Sequence, residues 1–109
     1  MAECMALGKP VIATADSGNM ELMNEGNSLL VNHALIPVIE GGYLDWRNQR
    51  WADADVAHAA THMRRVFDDR TFAETLGHAG QQSILTELST QRVGERIRNR
   101  LDQINAKIK

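Results

Sequence analysis

Short apolar blocks separated by glycine-containing turns occupy the first third of the chain, and longer apolar stripes at helical spacing occupy its second half. Residues 2–7 (AECMAL) are good helix formers, and Gly8, Lys9 and Pro10 supply a glycine stop followed by a proline that cannot continue a helix. Val11, Ile12, Ala13 and Thr14 form an apolar run without polar alternation, which predicts a strand covered on both faces. Asp16, Ser17, Gly18 and Asn19 make a turn, a short helix is expected over 20–24, and Gly26 with Asn27 stops it. Ser28, Leu29, Leu30 and Val31 predict a second buried strand. Helix, strand, helix, strand is the order of an α/β domain with parallel strands.

From Asn32 the pattern lapses. The stretch 33–52 holds Pro37, the pair Gly41 and Gly42, and three of the five aromatics, Tyr43, Trp46 and Trp51, and it is expected to be a long loop. Two tryptophans this close suit stacking on a sugar ring, although packing of a loop against its own domain is the commoner reason for such aromatics. After it the chain turns helical. With Asp53 or Asp55 as cap, Val56, Ala59, Ala60, Met63 and Phe67 fall on one face, which is expected to point inward. A second helix over 70–87 places Phe72, Leu76, Ala79 and Ile84 on its inner side, with Gly77 and Gly80 lowering local propensity. Ser89 or Thr90 caps a third, striped by Val93, Ile97, Leu101, Ile104 and Ile108. The expected organisation is thus an α/β portion over 1–32 with about two parallel strands, a loop over 33–52 and a tail of about three helices over 53–109.

At 109 residues the chain suits one domain, and a formal charge of −2 provides no broad basic field, so nucleic acid is not an expected partner. The apolar runs fall far short of the roughly 18 to 20 residues that span a bilayer, and no signal-peptide pattern opens the chain, which makes the cytoplasm the expected compartment. Cys4 is the single cysteine and reads as a packed helix residue.

Several residues invite chemistry. His58 and His62 share a helical face at zinc-ligand spacing, but Ala59, Ala60 and Thr61 between them lack the general-base glutamate of a zinc protease, so they read as solvated histidines. Arg92, Arg96, Arg98 and Arg100 alternate with Glu95 and Asp102 and read as a solvated face or a domain contact. The opening is more specific. Open parallel sheets bind ligands beyond the C-terminal ends of their strands, where the Ser17-Gly18-Asn19 turn offers backbone amides for phosphate oxygens. Glu3, on the neighbouring helix, is a carboxylate able to accept two ribose hydroxyls.

The stretch ECMALGKPVIATADSGNMELMNEGNSLLVN resembles the C-terminal, nucleotide-sugar-binding half of the family-four retaining glycosyltransferases of GT-B fold. Glu3, Met5, Ala6, Gly8, Pro10, Val11 to Thr14, Gly18, Glu21 and Asn27 to Val31 follow that family's pattern in order, and the helical tail is similar too. The resemblance implies a partial Rossmann-like half-domain and makes Glu3 the second of a pair of glutamates, the one expected to hold the donor's ribose. Ser17, Gly18 and Asn19 form the donor-binding turn in a departure from the family's commoner Gly-Gly form, and Thr14 and Glu21 stand beside it as further candidates. The implied reaction moves a sugar from a nucleoside diphosphate to an acceptor hydroxyl with retention and without a required metal. No residue here is expected to be catalytic, because the first glutamate, the earlier phosphate-binding loops and the acceptor-binding domain are expected to precede Met1. The contrasting expectation is a small non-catalytic scaffold that pairs with a partner or a second copy through its sheet edge or last helix.

Overall fold

The computed structural model describes residues 1–108 and shows a mixed α/β chain; Lys109, the last residue of the expected tail, lies outside them. Its elements are α1 (Ala2–Ala6), β1 (Ile12–Thr14), a 3-10 turn (Ser17–Glu21), β2 (Leu29–Val31), β3 (His33–Pro37), β4 (Arg50–Ala54), α2 (Val56–Asp68), α3 (Arg70–Glu87) and α4 (Thr90–Ile108). β1 and β2 pair in parallel, with Ile12 opposite Leu29 and Thr14 opposite Val31. Three helices form the tail, as expected. Asp55 accepts from the His58 amide at the start of α2 and Asp69 from the Phe72 amide at the start of α3, each at 2.9 Å.

A helix of five residues cannot hold itself together, so α1 depends on what surrounds its ends. Gly8 adopts φ 69°, and the amides of Gly8 and Lys9 reach the carbonyls of Met5 and Cys4 at 2.8 and 3.0 Å, the double bond pattern of a glycine-terminated helix. Gln81 of α3 donates to the Ala6 carbonyl at 2.9 Å and satisfies another helix-end acceptor. α3 can come this close because Gly77 and Gly80 face α1. A Cβ at Gly77 would lie 2.1 Å from the Gly8 carbonyl oxygen, and one at Gly80 would lie 3.1 Å from that of Asn27. The two glycines, which the propensity argument treats as weak points, are therefore the contact surface. Met5, Val11, Met23 and Ile84 close around them as the core, with Ala6, Ala13 and Leu30 packed alongside.

Elsewhere the structure departs from expectation. The segment expected as a loop forms an antiparallel hairpin, His33 opposite Ala54 through Pro37 opposite Arg50. Both of its faces are largely exposed, so burial imposes no alternation on its sequence, and Pro37 sits at the last position, where its missing amide costs little. The helix expected over 20–24 begins earlier, as the 3-10 turn, because Asn19 accepts the amides of Leu22 and Met23 on its carbonyl. Cys4 is exposed, since Met5 takes the single inward position of α1.

α2 reverses its expected orientation. Val56, Met63 and Phe67 are 63–79% exposed, whereas His58 and His62 turn inward. The outer edge of β2 presents backbone groups that need partners, and the imidazoles supply them: His58 Nδ1 accepts from the Asn32 amide and His62 Nε2 meets the Leu30 carbonyl, both at 3.1 Å. Ile12, Met63, Val66 and Phe67 line a shallow apolar hollow beside β1. In the α4 stripe Ile97, Leu101, Ile104 and Ile108 are likewise exposed, while Val93 is half-buried. No described helix is long and apolar enough to cross a membrane.

Replacing Gly77 with alanine is expected to destabilise the chain by about 2 kcal/mol or more, as overpacking against rigid backbone does. A urea titration followed by circular dichroism checks this, with Gly94→Ala, whose added methyl meets open space inside α4, as the comparison that gains about 1 kcal/mol from helix propensity alone.

Candidate functional site

Most of the polar residues singled out by the sequence lie in the turn that follows β1. At Ser17 the backbone is left-handed, φ 66°, and its hydroxyl donates to Asp16 Oδ2 at 2.7 Å. Gly18 follows with open space where a Cβ would stand, so that its side is open to approach. The left-handed position of the turn thus falls on Ser17, where a serine bears the strain of a conformation suited to glycine.

Asn19 does not face solvent with its amide. Its Nδ2 donates to the Thr14 carbonyl at 2.9 Å and approaches Met23 Sδ at 3.7 Å, so the side chain ties the turn to the end of β1. Thr14 takes part through that carbonyl, which also accepts the Asp16 amide at 2.8 Å. Glu3 stands apart, exposed on the first turn of α1. A hydrogen bond from its own backbone amide holds its carboxyl below the ordinary carboxylate value. The ionised form that accepts hydroxyl donors is therefore favoured.

Gly18 and Glu21 line a groove of about 660 Å³ between the 3-10 turn, the C-terminal half of α3 and the start of α4. Leu22, Ile84 and Leu88 contribute apolar surface to it, and Asn24, Gln82 and Arg96 contribute polar groups. Glu3, Ser17, Asn19 and Thr14 are not part of this groove. The structure thus separates the candidates into a turn cluster, a groove pair and an isolated glutamate.

Three residues that the sequence does not single out as site candidates take up places around the turn. His33 lies with Nε2 3.7 Å from Asp16 Oδ1, next to the turn. The signal was available, because parallel strands end side by side and the residues just after Thr14 and Val31 must become neighbours. Asp16 belongs with it. The third is Asn27, buried at the end of the turn region. Its Nδ2 donates to the Leu22 carbonyl at 2.9 Å and meets Ser83 Oγ at 3.1 Å, while its Oδ1 accepts the Asn24 amide at 2.8 Å. Among the described residues no group of three or more histidine, cysteine or acidic side chains is placed to hold a metal ion.

Ser17→Gly is expected to stabilise the chain by about 1 kcal/mol, the relief of a left-handed non-glycine residue, partly offset by the lost hydroxyl bond. Asn27→Ala is expected to cost about 2 kcal/mol, because it strands several buried or half-buried polar groups at once. Both are read as shifts of the urea midpoint.

No family model matches the chain, and no curated protein or solved structure matches it either.

Proposed function

We propose that this chain is the donor-binding C-terminal portion of a retaining glycosyltransferase, half of a Rossmann-like domain in a GT-B architecture. In this reading Glu3 holds the ribose hydroxyls of a nucleoside diphosphate sugar, and the turn of Ser17, Gly18 and Asn19 meets the diphosphate. Thr14 and Glu21 support that turn. Asn19 does so through its inward side chain, which leaves only its backbone for the ligand. Catalysis needs groups from across an interdomain cleft, so the chain alone binds donor without turnover, and the reaction requires no metal. The reading places the protein in the cytoplasm.

The observation that carries it is the left-handed Ser17 at the C-terminal end of a parallel strand. That backbone is what a Gly-Gly turn provides, and the resembling family commonly has that turn at this place. Two further features agree. Gly8 adopts the positive φ that its position in the pattern implies, and Asn27, which opens the Asn-Ser-Leu-Leu-Val run, is a buried anchor.

A second reading, a non-catalytic interaction scaffold, is favoured by a different quantity. The accessible surface is 8251 Å² for 12.1 kDa, whereas a compact monomer of that mass exposes about 6,000 Å². The excess, roughly 2,200 Å² on this one chain, is more than the about 800 Å² that each partner of a standard protein interface buries. The radius of gyration, 18.1 Å, exceeds the about 13 Å expected of a compact domain of this length.

Amide spectra of the chain titrated with UDP, GDP, ADP and their diphosphate sugars separate the two. The donor-binding reading expects saturable shifts at Glu3 and at Ser17 to Asn19, and a roughly tenfold or greater weakening in Glu3→Gln from the lost charged hydrogen bonds. A well-dispersed spectrum that no nucleotide perturbs rejects that reading and leaves the scaffold.

A further inference from the structure

α4 is the element least engaged with the rest of the molecule. Ser89 Oγ accepts the Arg92 amide at 3.2 Å to cap its start, and Arg96 reaches back to Glu87. Beyond Arg96, among the described residues, no hydrogen bond or ion pair joins α4 to another element. Yet this free length carries a regular pattern. Ile97, Leu101, Ile104 and Ile108 alternate at intervals of four, three and four, the d, a, d, a positions of a heptad, and they are 57, 55, 39 and 77% exposed.

The borders of this seam have one sign. Arg98 stands at an e position, and Arg100 and Lys107 stand at g positions. The acids of the helix, Glu95 and Asp102, lie at b positions on the outer face, and Glu95 is already paired with Arg92 at 3.6 Å. A second copy of α4 supplies no carboxylate at any e or g position in either orientation, so pairing of two copies leaves all three cations unmatched. A bilayer suits the helix poorly as well. The seam is a narrow a/d stripe without aromatic residues, whereas interfacial helices present a broad apolar face rich in Trp, Phe and Leu.

We propose that the α4 seam of Ile97, Leu101, Ile104 and Ile108, bordered by Arg98, Arg100 and Lys107, docks an amphipathic helix of another polypeptide whose own apolar seam is flanked by carboxylates. Apolar packing along a and d provides the adhesion, and the cation borders select the partner's charge and register. This pairing is independent of donor binding, since it uses no residue of the turn cluster or of α1.

The test uses the full chain and two synthetic helical peptides that share a Leu/Ile seam, one with Glu at every e and g position and one with Lys. Fluorescence anisotropy is expected to show the Glu peptide binding at least tenfold more tightly at low salt, with the difference shrinking as salt screens the borders. The triple variant Arg98→Glu, Arg100→Glu, Lys107→Glu is expected to invert the preference. Leu101→Asp is expected to abolish binding of the Glu peptide with the urea midpoint unchanged, because residue 101 is exposed. Equal binding of both peptides, or no binding by a folded chain, overturns the proposal. So does a dimer in sedimentation that Leu101→Asp dissolves, or binding to phosphatidylglycerol vesicles without peptide discrimination.

Discussion

The contact of α3 with the end of α1, glycine against glycine backbone, is the constraint from which the rest of the packing follows. With Gly77 opposite the Gly8 carbonyl, the axis of α3 is brought against a helix too short to persist by itself. That approach brings Gln81 within reach of the Ala6 carbonyl and Ile84 within reach of Met5 and Met23. A side chain at position 77 would lift α3 away and open the core at its centre. The small core therefore depends on atoms that are missing from two glycines as much as on the methionines that fill it.

From that core the polar end of the sheet inherits its shape. Met23 is fully buried, so the segment leading to it must descend from the end of β1 in a few residues. Asn19 and Asn27 clamp the descent at its two ends, one to the Thr14 carbonyl and the other to Leu22 and Ser83. Ser17 absorbs the resulting sharp reversal in its left-handed backbone. An exposed turn with local strain is thus maintained by the side-chain amides of half-buried Asn19 and buried Asn27.

Legibility followed burial. The parallel pair, the glycine stop at Gly8 and the cap Asp55 are readable, because short apolar runs and helix ends leave compositional marks that local rules decode, although β1 is half-buried where a strand covered on both faces is expected. The hairpin is not, because residues such as Leu35, Ile36 and Trp51 remain exposed there, and a strand without a core face has no alternation to show. α2 misled for a related reason. Its apolar stripe looked like the inner face, but the neighbouring strand edge offered backbone hydrogen bonds, and His58 and His62 turned toward it. At the site, Ser17, Gly18 and Asn19 were found as a turn, whereas the inward side chain of Asn19 and the approach of His33 to Asp16 required three dimensions.

The hairpin is closed at its base. Asp55 donates its amide to the Asn32 carbonyl at 2.8 Å, the Asn32 amide donates to His58, and His33 faces Ala54. Toward its tip, Val38 is buried against Gly42. The chain thus leaves the sheet and returns to it at one point, with the intervening segment packed on itself. Such a segment behaves as an insert: its length can change at a loop-closure cost that grows only logarithmically, while β2 and α2 keep their mutual placement. Natural variation and engineered grafts are best accommodated there, on a stalk whose foot is fastened to the strand that ends beside the polar turn.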